Sequence, residues 1–295
     1  MNFQLYFFSW SEKWFKRFRE YKYKTMTGNV MECKTVQTTV FKTLVEALKD
    51  ILTDVNIEFH KGNSDAENDE DKGFIKIVAM DSSQTILVHL KLDGGRFEYY
   101  NCKKRLIVGV SMMYFHKLIK TISNNNDCLT LYIADNDINK LGIKIDNSDK
   151  NSVTHYKLNL MDIKYEEVNI PPQKFENTIV MPSDDFQKIC KDMSNLADLI
   201  EIKNVGNKLI FSCSGDFADQ ETVCSEHGGL TFDKNNEQYE VIQGYYNLRH
   251  LVLFTKCTHL SNNVQIFMKN DFPLIIQYKV GSLGYLKLAL APKVK

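Results

Sequence analysis

Apolar side chains along this chain recur with two different periods, and the expected element changes wherever the period changes. Residues 31–40 read as a strand. Residues 41–52, FKTLVEALKDIL, put Leu44, Val45, Leu48, Ile51 and Leu52 on one helical face. Residues 74–92 hold two strand runs around the turn-like Met80-Asp81-Ser82-Ser83, and Gly94-Gly95 separates them from further strands at 96–102 and 105–110. A second helix is expected over 112–122, with Phe115, Leu118, Ile119 and Ile122 inward. A third, over 183–196, has Phe186, Ile189, Cys190 and Met193 at the same offsets, and a fourth covers 247–260.

The later elements repeat. Residues 117–145 read as helix, Ser123-Asn124-Asn125, strand CLTLYI, turn at Asn136-Asp137 and strand LGIKI. Residues 254–280 read as helix, Ser261-Asn262-Asn263, strand VQIFM, turn at Asn270-Asp271 and strand PLIIQYKV. The spacing of the two units is that of an ordinary domain, so one half is a duplicate of the other. Each half then has two helices and about eight strands, and its helices can cover only one sheet face. This defines an α+β fold of two similar domains.

Between the halves lies 155–175, HYKLNLMDIKYEEVNIPPQKF. Tyr156, Leu158, Leu160 and Asp162 alternate as in a half-buried strand, but from Lys164 onward acidic residues interleave with Val168 and Ile170. Pro171-Pro172 forbids helix and removes two backbone donors. An extended surface connector is expected, with apolar side chains beside backbone still free to pair. That suits the docking of a partner, and an ordinary linker has the same composition.

Charge changes the picture through its arrangement. Lysines and arginines number 37 and so do aspartates and glutamates, giving a formal net charge of +0. A tight non-specific nucleic-acid binder is normally strongly basic. Yet each expected helix presents two cations: Lys42 and Lys49, Lys117 and Lys120, Lys188 and Lys191, Arg249 and Lys256. One such pair is an ordinary solvated face; four together imply helices lining one shared surface. The first and fourth helices space their cations by seven and the inner two by three, an order that a simple tandem copy does not produce.

Other features bound the function. The 7 cysteines are scattered without a C-x-x-C pair, which favours a reducing compartment over a disulfide framework. No apolar run is long enough to cross a bilayer. Residues 1–29 form an aromatic and basic extension in which Trp10, Trp14 and Phe18 share helical spacing. An amphipathic helix of this kind could meet a membrane surface, nucleic acid or protein, or pack on its own domain. Residues 61–72, KGNSDAENDEDK, read as an acidic loop insertion. No phosphate-cradling glycine loop or nucleophile elbow occurs. Cys224 and His227 lack two further zinc ligands, Cys213 and His250 being poor candidates, and no histidine is placed beside Asp81, Ser82 and Ser83. No catalytic activity, metal or cofactor is expected.

The segments AMDSSQTILVHLKL, FKTLVEALKDIL, NLMDIKYEEVNIPP, MPSDDFQKICKDMS, FTKCTHLS and LKLALAPK, in this order and spacing, resemble the proliferating cell nuclear antigen family of eukaryotic-type DNA sliding clamps. The resemblance runs from about Val30 to Lys295 and fits a viral or divergent member. It implies clamp domains at 30–152 and 176–295, an interdomain connecting loop at 153–175, and a homotrimeric ring whose helices face double-stranded DNA. The eight helix cations would then meet phosphates irrespective of sequence. It also implies a pocket for partner peptides, built from Met80, Gln84, Val168, Ile170, Pro171, Phe175, Pro273, Leu290, Ala291 and Pro292. DNA polymerase, a clamp loader and other replication or repair proteins would dock there. Such a protein works in the nucleus or at a cytoplasmic viral replication site, not at a membrane.

Several features depart from the family pattern. Leu288-Ala289 replaces an aromatic pair, which widens the expected pocket, and the usual acidic tail is missing. The 1–29 extension also stands outside it, and Met26 or Met31 is an alternative start. Ring closure needs edge strands, for which 155–158 and 211–224 are the candidates. The rival readings are a monomeric or dimeric viral processivity factor of the same fold and, from another class, a hydrolase on a duplicated scaffold.

Overall fold

The computed structural model describes residues 28–62, 72–124, 126–168, 175, 177–234 and 241–293. The first half runs β1 (Asn29–Thr35), α1 (Thr38–Leu48), β2 (Asp54–His60), β3 (Phe74–Met80), β4 (Ile86–Asp93), β5 (Tyr99–Cys102) and β6 (Leu106–Ser111). It continues with α2 (Met112–Ile119), β7 (Cys128–Ala134), β8 (Asp137–Asn147) and β9 (Ser152–Asn159). The second half runs β10 (Asn177–Pro182), α3 (Ser183–Ser194), β11 (Leu199–Val205), β12 (Lys208–Ser214), β13 (Asp219–Ser225), β14 (Thr231–Lys234) and β15 (Ile242–Asn247). After it come α4 (Leu248–Phe254), β16 (Asn263–Phe267), β17 (Leu274–Val280) and β18 (Gly284–Leu290).

The strands form three antiparallel sheets, ordered β5-β1-β7-β8-β9, β14-β10-β16-β17-β18-β4-β3-β2-β6 and β13-β12-β11-β15. The duplication is visible in this order. The second half's five strands β14-β10-β16-β17-β18 match the first half's β5-β1-β7-β8-β9, and β13-β12-β11-β15 matches β4-β3-β2-β6. At one junction the two kinds of unit fuse, because β18 pairs with β4 along its whole length. The copies of those two strands, β9 and β13, end their sheets without a neighbour among the described residues.

Helix boundaries shift from the sequence pattern for local reasons. The first helix begins at Thr38 instead of 41, and after Leu48 the backbone tightens, Ile51 N–H donating to Leu48 O (3.1 Å). Ile51 and Leu52 remain buried all the same. The fourth loses α geometry after Phe254 and continues as a 3-10 turn over Thr255–Leu260. There the Thr255 hydroxyl donates to Val252 O (2.8 Å) and the Thr258 hydroxyl to Thr255 O (2.6 Å). The second helix stops at Ile119, and the first strand at Thr35 instead of 40. The turn expected at Asn136-Asp137 falls one residue earlier, Asp137 opening β8.

The helices lie in one contiguous layer: α1 packs on α2 and on the Thr255–Leu260 turn, which also touches α3 and α4. Their apolar faces meet the inward side of the sheets, where Phe59, Phe186, Phe211, Phe254 and Tyr278 are among the largest fully buried side chains. The thiols of Cys33, Cys190 and Cys257 are buried in this core, and burial pushes Cys33 and Cys257 up to about 12. They are packing groups, held as thiols.

The connector begins on the opposite, outward side. Its early part is β9, as the alternation of Tyr156 and Leu158 indicated. Met161 then bridges Gly109 of β6, its N–H donating to Gly109 O (2.9 Å). Asn56 Nδ2 donates to Ile163 O (3.3 Å). A glycine is required at 109 because a Cβ there would stand 2.2 Å from the Met161 carbonyl oxygen. Gly109→Ala should therefore displace the connector, lowering stability by roughly 1–3 kcal/mol, the usual cost of overpacking. Thermal unfolding checks the stability, and faster hydrogen exchange at the Met161 amide checks the displacement.

Candidate docking groove and helix-lined face

The sheet register decides which side chains share the outward face. Met80 lies opposite Leu87, Leu87 opposite Ala289, Ala289 opposite Ile275, and Ile275 opposite Phe267. Directly opposed residues in a ladder point to the same side. The five side chains therefore form one apolar row across β3, β4, β18, β17 and β16. Their in-strand neighbours Ile86, Leu288, Ile276 and Ile266 are buried on the inward side, whereas Met80 is 41% exposed and the rest of the row half-buried. The next outward row, Val78, His89, Lys287, Gln277 and Gln265, is mostly polar. Burial, together with Lys287, Lys76 and Lys91, pushes His89 down to about 4, so it is neutral at physiological pH.

Both described ends of the connector flank this row. At the far end, Phe175 rests against Phe267 (ring centroids 5.4 Å) and Phe272 (5.7 Å). At the near end, Tyr165 lies over β2, where its hydroxyl accepts from Arg105 (2.9 Å) and donates to Glu58 (3.3 Å). Glu58 faces outward but is only 3% exposed, being covered by this clasp. Burial alone would raise its carboxyl pKa; hydrogen bonds from Arg105 (2.7 Å) and His60 (2.9 Å) outweigh that and hold it below the usual range.

A tight loop walls the groove beside Met80. The Asp81 carboxylate accepts from the backbone N–H of Thr85 and Ile86 at 2.7 Å each and from Ser83 N–H at 3.2 Å. Burial raises its pKa, but the Ser83 hydroxyl and these backbone donors lower it further. Asp81 thus organises a turn, one that holds Gln84 at φ 55°. The chain after β18 completes the wall: Ala291 N–H donates to Thr85 O (3.1 Å) and Lys293 N–H to Tyr245 O (2.8 Å).

Of the expected pocket residues, Met80, Gln84 and Pro292 are exposed, and Val168, Phe175, Pro273 and Ala291 are half-buried. Leu290 is corrected: its side chain is 0% exposed, buried inward, and it supports the wall from behind. Ile170 and Pro171 lie outside the described residues, as do 1–27 and 63–71, which hold most of the aromatic extension and the acidic insertion. Sequence reasoning flagged Ala289 as widening the pocket but missed Leu87, Ile275, Phe267 and Phe272. A signal existed: Leu87 and Ile275 are apolar where the outward positions of their strands are otherwise polar, as in Leu87, His89, Lys91 and Asp93. Of the pair Leu288-Ala289, only Ala289 faces the groove, and its methyl group leaves a recess mid-row.

On the helix side, Lys117, Lys120, Lys188, Lys191, Arg249 and Lys256 are exposed, while Lys42 and Lys49 are half-buried. Lys42 Nζ is turned onto the Ile122 carbonyl (2.8 Å), so it ties α1 to the end of α2. Asp50 accepts from both Lys49 (2.7 Å) and Lys256, linking the two halves. Lys188 pairs with Asp192 (2.9 Å) one turn on, and Lys117 Nζ stands 5.4 Å from the ring centre of Tyr114. Positive charge is therefore present on this face but partly offset. Burial pushes the Cys213 and Cys224 thiols up, which disfavours metal-binding thiolates, and no trio of His, Cys, Asp or Glu able to hold a metal ion is found among the described residues.

A duplicated α+β scaffold with a continuous helix layer on one side and, on the other, an apolar groove flanked by the described ends of a connector is the architecture of a binding platform. Comparison with known proteins places it. The family model for the proliferating cell nuclear antigen N-terminal domain matches residues 30–168, and that for the C-terminal domain matches 169–293. A probable DNA polymerase sliding clamp of Paramecium bursaria Chlorella virus 1 is 35% identical over 265 residues, covering 88% of this chain and 95% of the viral one. The chain belongs to the proliferating cell nuclear antigen family.

The Glu58 clasp has a pH signature. A carboxyl held below its unfolded pKa contributes stability that is fully present above that value and is lost as pH falls through the folded one. Acid should therefore loosen the connector before the fold melts, and Glu58→Gln should remove that component. Hydrogen exchange at residues 160–168 between neutral pH and about pH 3, bracketing the ordinary glutamate range, checks it.

Proposed function

We propose that this chain is the subunit of a homotrimeric ring that encircles duplex DNA, a processivity factor tethering DNA polymerase and other replication and repair proteins. The observation that carries this is the unfinished duplication. One junction, β18 with β4, is made within the chain; the equivalent edges β9 and β13 are left open among the described residues. Pairing β9 of one copy with β13 of the next repeats the junction already present, and head-to-tail repetition closes into a ring. In this reading 30–152 and 176–295 are the clamp domains.

The helix layer becomes the inner wall. Lys117, Lys120, Lys188, Lys191 and Arg249 meet phosphates, with Lys256 and Lys49 sharing Asp50 and Lys42 acting chiefly as a tie. Backbone contacts carry no sequence information, and partial neutralisation keeps attraction weak enough for sliding. Topology holds the ring on DNA, which accords with a formal net charge of +0. The outward groove receives a short partner peptide, its aromatic anchor seated over Ala289 between Met80, Leu87, Ile275 and Phe267. Polymerase and clamp loader compete for it, at the place of DNA synthesis.

Three measurements test this reading. Native mass at micromolar concentration should give the trimer; a single-subunit mass would support the monomeric alternative. Ile275→Asp, or Val168→Asp with Ile170→Asp, should weaken peptide binding by roughly 30-fold, the loss expected of a central anchor site, with assembly unchanged. Unaltered affinity would relocate the pocket. Replacing Lys117, Lys120, Lys188 and Lys191 by Glu should shorten polymerase products on primed circular DNA. It should also flatten the salt dependence of loading by about 0.9 for each phosphate no longer neutralised. Undiminished product length would exclude the helix face as the DNA wall.

A further inference from the structure

The described chain begins at Gly28, whose carbonyl accepts from Asp135 N–H in the hairpin that joins β7 to β8. Three residues further on, Ile138 is 61% exposed and opposite in parity to the buried Leu141, Ile143 and Ile145 of β8. The β8–β9 ladder runs on past Lys140↔Asn159, with Leu160 N–H donating to Asn139 O, and one further step sets Met161 beside Ile138. Met161 is 43% exposed and bridges Gly109 of β6, where Ile107, two residues back, is 38% exposed. The Ile163 side chain reaches over Gly109, within 2.9 Å of where a Cβ would stand. Ile138, Met161, Ile163 and Ile107 thus form one apolar strip from the hairpin to β6, along the start of the connector. Contiguous exposed apolar surface of this kind marks a contact site.

The second half lacks this strip. Its bridge Tyr245↔Lys293 repeats Gly109↔Met161, so the copies of Met161 and Ile107 are Lys293 and Gln243. Both are polar, and the strand that opens that half follows the connector. The strip occurs only where residues 1–27 join the fold.

Those residues carry a matching feature. Phe3, Phe7, Trp10, Trp14, Phe18 and Tyr21 fall within about 80° of one another at 100° per residue, a narrow aromatic stripe. A helix over 3–21 would measure about 28 Å. Residues 22–27 reach up to about 20 Å when extended, whereas Gly28 and Ile138 stand on strands two spacings apart, about 10 Å. We propose that residues 1–27 dock by this stripe across Ile138, Met161, Ile163 and Ile107, pinning the connector where it leaves β9. Lys13, Lys16, Arg19 and Lys22 lie off the stripe and stay in water, with Asp162, exposed next to Met161, supplying opposite charge at the rim. The docking needs neither ring closure nor DNA.

The chain has 2 tryptophans, Trp10 and Trp14, so its intrinsic fluorescence reports on this segment alone. In the full chain the emission should be blue-shifted, and acrylamide quenching weaker, relative to a synthetic peptide of residues 1–27. Ile138→Asp with Met161→Asp, both at exposed positions, should red-shift the emission and raise quenching to the level of the peptide, with the native mass unchanged. Deleting residues 1–27 should speed amide exchange at Met161 and Ile163. Peptide-like quenching in the unsubstituted chain, or protection that survives both substitutions, overturns the docking. So does protection that fades on dilution at constant native mass, which would assign the stripe to a second particle, or protection that appears only with anionic vesicles or duplex DNA.

Discussion

The backbone ladder between β18 and β4 is the constraint on which the molecule depends. It runs from Gly284↔Leu92 to Leu290↔Ile86 without a bulge and joins the two halves into one nine-stranded sheet. Side chains alternate across a sheet with period two, so this register fixes two opposite surfaces at once. Inward, Val88, Leu90, Leu286 and Leu288 seal the core beneath the helix layer. Outward, Leu87 and Ala289 are brought side by side at the centre of the groove. A slip of one residue would turn core side chains to solvent and dismantle both.

The two faces differ in chemistry. The outer groove is apolar, walled by a loop organised around Asp81 and approached by a connector anchored through Tyr165 and Phe175. Such a site distinguishes partners by the shape of an anchor. The inner face has long, flexible cations, several of them already tied to Asp50, Asp192 or the Ile122 carbonyl. Such a surface can follow a phosphate backbone without gripping any one position.

Duplication followed by divergence explains why the groove occurs at the closed junction alone. The positions equivalent to Leu87, Ala289 and Ile275 are Asp219, Lys157 and Gly142. Two are charged, and the third is overlain by the Tyr132 ring, which a Cβ at 142 would meet at 2.3 Å. The same backbone geometry thus carries an apolar row at one junction and, among the described residues, an unpaired strand edge at the other.

The sequence by itself determined the elements and their duplication. Helical runs such as FQKICKDM and alternating runs such as LIIQYKV state their own period, and the two Ser-Asn-Asn units mark the repeat. It also supplied the cations of the helix faces and part of the groove rim, including Met80, Phe175 and Pro273. The row itself was decided by the tertiary structure. Met80, Ala289 and Phe267 are far apart in the chain and become neighbours only through hydrogen-bonded register, which no local pattern encodes. The same holds for Lys42, whose amino group is drawn to a carbonyl in the segment that follows another helix. Periodicity tells each strand which side is wet; only the folded sheet tells it which other wet side chains it stands beside.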